Sequence, residues 1–203
     1  RLSCNADAVE LFGPMSGMRG FARSERSEDG TDVSIELPSG ASMLLKAFPR
    51  KPHRTSCGEW PYAERKYSIT ADGPWTLDFL RSEPAMPQQH YDLDTLQGWH
   101  LLPGGAENEA VGVYATSVVI EDEGNWLLSL GQVRESAVVR INGVDAGTLI
   151  APPFVLRIGQ YLHKGENLLE IEVRNLPANR IARMDRDGKV WRIFKDVNIA
   201  AVD

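Results

Sequence analysis

The sequence predicts an antiparallel β-sandwich preceded by a small strand-rich segment. Apolar and polar residues alternate almost continuously over residues 126–175, and reversal signals punctuate that stretch at even intervals: Asn142-Gly143, Pro152-Pro153 and Gly165-Glu166-Asn167. Helical periodicity is scarce along the whole chain.

In chain order, residues 33–37 and 42–48 are strand-like runs on either side of Pro38-Ser39-Gly40, which reads as a hairpin. Residues 25–32 are polar and read as a loop. Residues 49–61 are rich in Pro, Gly and basic side chains and read as a linker, so 1–65 is the β-rich remnant of one module and 66–203 is a second. Residues 75–79 alternate cleanly and open the main domain as a strand, which residues 84–89 interrupt. Residues 92–98 predict one helical turn, with Asp92 as the N-cap acceptor. Residues 112–121 predict a strand carrying Val113, Ala115, Ser117 and Val119 on one side.

Within the long alternating stretch, Val138 and Ile141 join Leu169, Ile171 and Val173 on one face. Arg140, Glu170, Glu172 and Arg174 are left for the other face or the strand edges. Asn142-Gly143 tolerates positive φ and lets the chain reverse between 137–141 and 146–150. Gly165-Glu166-Asn167 does the same before a strand over 168–175. Pro152-Pro153 cannot donate to a central ladder, so the bend falls there and a new strand starts at Phe154.

A chain of 203 residues, 42% of them hydrophobic, can bury one large core or one core with a smaller neighbour. No run approaches the roughly 20 apolar residues of a membrane helix, so no membrane partner is expected. The chain starts with Arg, and Leu2-Ser3-Cys4-Asn5 lacks the apolar region of a secretory signal, so it reads as a processed product or a fragment of a longer protein, the fragment being favoured. The net charge is -6; residues 1–65 hold nine Lys/Arg against nine Asp/Glu, and 66–203 hold thirteen against nineteen. The basic residues are scattered singly, which argues against nucleic acid as a partner. Cys4 and Cys57 admit one bridge or two thiols, and they lack metal-type spacing.

The order Trp75-x-Leu-x-Phe79, Trp99, Gly112-x-Tyr114, Leu128-x-Leu130-Gly131-x-Val133 continues into Ala137-x-Val139-x-Ile141-Asn142-Gly143, Gly147 and Pro153-Phe154. Gly165-x-Asn167-x-Leu169-x-Ile171-x-Val173-x-Asn175 and Asn179-Arg180-Ile181 complete it. Over about residues 66–203 this resembles the galactose-binding-like, jelly-roll sugar-binding domain of glycoside hydrolase family 2 enzymes. It resembles still more closely the C-terminal portion of rhamnosidase-type glycoside hydrolases. Residues 37–45 are similar to the closing hairpin of a preceding module in such enzymes. The chain departs from the pattern at Ile150-Ala151, where relatives often carry an aromatic residue.

The resemblance implies a non-catalytic carbohydrate-binding or structural accessory domain inside a larger glycoside hydrolase. Its partners would be carbohydrate and the neighbouring catalytic domain; the alternative is a brace for that domain without sugar affinity. By association it also implies a secreted or periplasmic protein. It implies no cofactor, although jelly rolls of this kind sometimes hold a structural calcium.

Hydrolysis of a glycoside needs two carboxyl groups roughly 5 to 9.5 Å apart across the sugar. Glu170 and Glu172 alternate with core residues and read as a solvated strand face, while Glu107 and Glu109 lie in a Gly-rich loop and read as an exposed acidic loop or a ligand contact. Asp185-x-Asp187-Gly188 imitates part of a calcium loop, but Arg183 stands two residues earlier and no Glu closes it, so it reads as a hairpin turn. His53, His90, His100 and His163 occur singly, without metal or triad spacing.

Sugar recognition asks for an aromatic face and for planar amide or guanidinium groups. Trp75 and Trp126 begin alternating strands and read as core. The candidate carbohydrate contacts are therefore Trp60 with Tyr62, in the breaker-rich segment, and Trp191 with Asn179 and Arg180. Asn175, Asn179 and Arg180 have a competing structural use, which is to tie a loop to neighbouring backbone groups.

Overall fold

The computed structural model describes residues 1–52, 57–62 and 68–191. It comprises two compact units, Arg1–Ser68 and Ile69–Asp203, and the regular structure of the described residues is mostly strand, with every strand pair antiparallel.

The first unit holds β1 (Ala8–Phe12), β2 (Arg19–Phe21), β3 (Ser24–Ser27), β4 (Gly30–Val33) and β5 (Leu44–Phe48). β1 is the centre of a three-stranded sheet, β2-β1-β5, and β3 pairs with β4 as a separate hairpin. Ala6, Val9, Leu11 and Trp60 form its core. Two expectations are corrected here. Residues 42–48 do not close a hairpin with 33–37; β5 pairs instead with β1, Leu45 opposite Leu11, because the apolar residues of β1 supply the buried face that a local hairpin lacks. Residues 25–32 are not a loop but the β3–β4 hairpin. It is polar because it buries little besides Gly30 and Thr31, whose hydroxyl accepts from Ala6 N at 2.9 Å and donates to Cys4 O at 2.8 Å.

The expected linker is partly built into this unit. Phe21 N donates to Gly58 O at 2.9 Å and Trp60 N donates to Phe21 O at 2.8 Å. Gly20 makes the approach possible, since a Cβ there would lie 2.7 Å from Trp60 backbone atoms. Cys4 is exposed, and Cys57 donates its thiol to Glu10 Oε1 at 3.2 Å; the two cysteines are not bridged.

The second unit holds β6 (Trp75–Glu83), β7 (His90–Leu93), β8 (Glu109–Ile120), β9 (Leu127–Ser129), β10 (Ser136–Ile141), β11 (Val144–Leu149), β12 (Val155–Arg157), β13 (Gly165–Arg174) and the helix α1 (Ala178–Arg186). Six strands form one antiparallel sheet in the order β11-β10-β13-β8-β6-β7, and β12 pairs with β9 in a short second sheet. Trp75, Leu77, Phe79, Tyr114, Val139, Ile141, Leu169 and Ile171 supply the core from the large sheet, with Leu128 of β9 and Leu156 of β12 packed against it. The result is a β-sandwich. Each buried Leu, Ile or Phe stabilises it by about 1.5–3 kcal/mol.

One edge of that core is aromatic. Trp99, on a short 3-10 turn (Trp99–Leu101), stacks on Tyr114 with centroids 6.2 Å apart and meets Phe79 edge-on at 5.7 Å. Gly112 leaves the space, because a Cβ there would fall 2.9 Å from Leu77 and 3.2 Å from Trp99. Tyr114 donates its hydroxyl to Gln97 O at 3.0 Å, and burial pushes its pKa up to about 12.

Four further expectations change. Asp92 does not cap a helical turn; it lies in β7 opposite Thr76, because an unpaired edge of β6 is available there. Val138 does not share a face with Ile141; strict alternation buries Ala137, Val139 and Ile141 and turns Val138 outward. Gly165-Glu166-Asn167 is not a separate turn but the first part of β13, paired with residues 118–120 of β8. The segment around Asp185-x-Asp187-Gly188 is not a hairpin turn. Ala178–Arg186 is helical and ends in a Schellman motif: Gly188, at φ 66, donates to Asp185 O, and Lys189 N donates to Met184 O at 2.9 Å. Asp185-x-Asp187-Gly188 thus closes a helix and not a hairpin.

Candidate functional site

The aromatic residues expected to meet sugar fall in different settings. Trp60 is 8% exposed and belongs to the core of the first unit, so it presents no open ring face. Tyr62 of the same unit donates its hydroxyl to Ser34 O at 2.8 Å, accepts from Arg23 N at 2.9 Å, and lies under the Arg23 guanidinium, 4.7 Å from its ring centroid. Both side chains are tied into their own unit. His53 lies outside the described residues.

In the second unit, α1 carries Asn179 and Arg180, and the partly buried Trp191 donates its indole N–H to Asp185 Oδ1 of the same helix at 2.9 Å. Arg180 bridges two strands, contacting Glu83 of β6 and donating to Glu109 Oε2 of β8 at 3.2 Å. Arg81 also reaches Glu109, at 2.6 Å. Glu107 contacts Arg186 and lies 3.8 Å from Arg183. Glu107 and Glu109 therefore clamp the helix, which buries no residue of its own. Asn175 is likewise structural: its Oδ1 accepts from Ala110 N at 2.7 Å and its Nδ2 donates to Asn108 O at 2.9 Å.

Glu172 departs from the solvated face expected of it. The residue is only 4% exposed, because Arg140 and Arg174 fold over it from the outer surface of the sheet. Arg174 donates to Oε1 at 2.6 and 2.9 Å, and Arg140 to Oε2 at 3.2 and 3.3 Å. The Arg174 guanidinium holds the carboxyl below its usual range, and burial opposes the shift. In the first unit, Glu10 is held low by the Cys57 thiol foremost and then by Arg19.

A depression of about 360 Å³ lies at one end of the sandwich, between residues 131–135 and 150–154. Its two walls are joined by Leu130 N donating to Phe154 O at 2.9 Å, and Glu135 N ties one wall to Arg174 O of β13 at 2.7 Å. Ile150, Pro152 and the buried Phe154 make one side apolar. Gln132, Arg134 and Glu135 line the other with exposed side chains. Sequence reading singled out Ile150-Ala151 of this depression only as a departure from the family pattern, and missed residues 131–135. The available signal was the polar insertion 131–135 between two short apolar strands, facing the Pro152-Pro153 bend.

Comparison with known proteins agrees with this architecture. A rhamnosidase from Novosphingobium sp. PP1Y superposes with a TM-score of 0.73 at 25% identity, over 92% of this chain and 18% of that one. The chain is similar to a part of a glycoside hydrolase. A protein named "Putative beta-glucuronidase" from Formosa agariphila is 28% identical over 170 residues, 76% of this chain and 14% of that protein. The chain thus spans less than a fifth of the length of either relative. No family model matches it.

Proposed function

We propose that this chain is a non-catalytic accessory module of a larger glycoside hydrolase, a galactose-binding-like jelly roll that holds glycan for a separate catalytic domain. The observation that carries the reading is the rhamnosidase likeness, which takes in 92% of this chain but only 18% of the enzyme and leaves most of that protein for the chemistry. The acids of the module support it. Glu107 and Glu109 are committed to α1, and Glu172 to Arg140 and Arg174. A module of this kind would work where polymeric glycan is met, in a secreted or periplasmic enzyme.

The test is a glycan array probed with the purified chain, alongside assays on aryl-glycosides. Binding without turnover is the expected outcome; turnover that one carboxylate substitution abolishes would overturn the assignment. A second reading, bracing without sugar affinity, draws on the exposed apolar side chains Leu80, Leu101 and Val119 of the second unit. A blank array together with tight association to the parent catalytic domain would favour it.

A further inference from the structure

We infer that the depression at the sandwich end, between residues 131–135 and 150–154, is the glycan contact of this module and takes a neutral pyranose. The inference rests on the glycan-holding reading above and places it at named residues. Its volume, about 360 Å³, falls at the small end of ligand sites, which run from about 300 to 1,000 Å³. That suits one or two sugar rings better than a long chain.

The chemistry of the two walls differs in the way a pyranose differs between its faces. Ile150, 67% exposed, and Pro152 offer an apolar surface over the buried ring of Phe154. A sugar's C–H face can lie against such a surface. Opposite them stand the amide of Gln132, the guanidinium of Arg134 and the carboxylate of Glu135, and among the described residues none of the three makes a side-chain hydrogen bond or ion pair. Together they supply donors and acceptors in planar pairs, the arrangement that adjacent hydroxyls require. The single positive and single negative charge cancel, so the wall favours an uncharged ring over a uronate or a phosphate.

The site is also preformed. The Leu130–Phe154 and Glu135–Arg174 backbone bonds fix both walls to the sandwich, so binding must order the exposed side chains of Gln132, Arg134 and Glu135 but not the backbone that carries them. No aromatic face is exposed within it, since Phe154 forms the floor. Affinity should therefore be weak, with a Kd of about 1 mM, near 4 kcal/mol of binding free energy.

The test is saturation-transfer NMR on the 203-residue chain with neutral methyl hexopyranosides and 6-deoxyhexopyranosides, and with a methyl glucuronide as the charged comparison. We expect transfer to at least one neutral glycoside, weaker transfer to the glucuronide, and a loss of at least about tenfold in affinity in Arg134→Ala, Glu135→Gln and Ile150→Asp. Asn179→Ala on α1 should bind as the parent does. Circular dichroism and thermal melts of each variant separate lost binding from lost folding, and Glu135→Gln keeps the shape of the site if the others do not fold. Binding that survives all three depression variants would overturn this placement and leave the glycan-holding reading intact. A neutral panel that fails to bind would overturn the placement; a blank glycan array besides would end the broader reading as well.

Discussion

Asn142 donates from Nδ2 to Oδ1 of Asn167 at 3.0 Å, which joins the tight turn after β10 to the start of β13. The pair explains why the Asn142-Gly143 turn and the first residues of β13 both carry asparagine. Asn142 sits at φ 53, with Gly143 at φ 78, in the left-handed region that a two-residue hairpin demands. Its Oδ1 also accepts from Leu168 N at 3.0 Å. Asn167, 1% exposed, donates to His163 O and Gly165 O and accepts from His163 N, so its amide takes the place of a backbone ladder at the entry to β13.

Replacing Asn167 by Ala should lower stability by about 3 kcal/mol, because several buried backbone groups lose their partner together. Asn142→Gly keeps the turn geometry and should cost about 1 kcal/mol, and Asn142→Ala, which must also hold positive φ, about 2 kcal/mol. Urea unfolding of the three variants checks the order. Equal losses for Asn142→Gly and Asn142→Ala would show that the backbone angle contributes nothing.

Glu172 gives the second unit an acid-side dependence on pH. Its folded pKa lies below the unfolded value of about 4.3, because Arg174 and then Arg140 stabilise the charged form. The contribution is therefore present above the unfolded pKa and lost as pH falls through the folded one. Glu172→Gln should destabilise by about 2 kcal/mol at pH 7. The gap between parent and variant should close on acidification below pH 4. Urea midpoints measured from pH 3 to 7 test this, and a gap that stays constant would contradict it.

His90 works in the opposite direction. It stands directly across from Asp78 on β6, with Nδ1 donating to Oδ1 at 2.7 Å, and Asp92 lies 3.4 Å from Nε2. The hydrogen bond to Asp78 raises its pKa above the ordinary value. What stability the pair contributes is present below the unfolded pKa of about 6.5 and lost as pH rises through the higher folded one. An NMR titration of the imidazole should give a midpoint above 6.5 in the parent, falling toward it in Asp78→Asn.

The helix α1 should separate from the sandwich without unfolding it. It buries no residue, and Arg180, Arg183 and Arg186 hold it to Glu83, Glu109 and Glu107 through surface ion pairs. Such pairs contribute about 0–1 kcal/mol each and weaken with salt. Hydrogen exchange is expected to show the amides of α1 losing protection in Arg180→Ala and in 1 M NaCl, while β8 and β13 keep theirs. Protection of α1 unchanged in both conditions would mean that packing, through Ile181 or Met184, holds the helix.

Much of the sandwich was legible because its strands are long and half-buried. β6, β8, β10 and β13 alternate along their length, and the Asn142-Gly143 reversal names its own turn type. α1 was harder to read: it is short, and its apolar stripe is little more than Ile181 and Met184, one turn apart and only half-buried, set among charged residues. Proline at its start and glycine past its end were the remaining signals. The depression was illegible for another reason. Its two walls are 15 or more residues apart in the chain, and nothing local says that loops from different strand pairs face one another.

What this sequence determines by itself is which runs are extended and where they reverse, since side-chain alternation and positive φ are properties of neighbouring residues. Partnership was decided by the tertiary structure. Only the assembled sheets bring Leu44–Phe48 to β1, close Arg140 and Arg174 over Glu172, sink Trp60 into a core and set residues 131–135 against 150–154. Each of those outcomes depends on groups far apart along the chain, whose burial and charge take effect only once a second layer excludes the water between them.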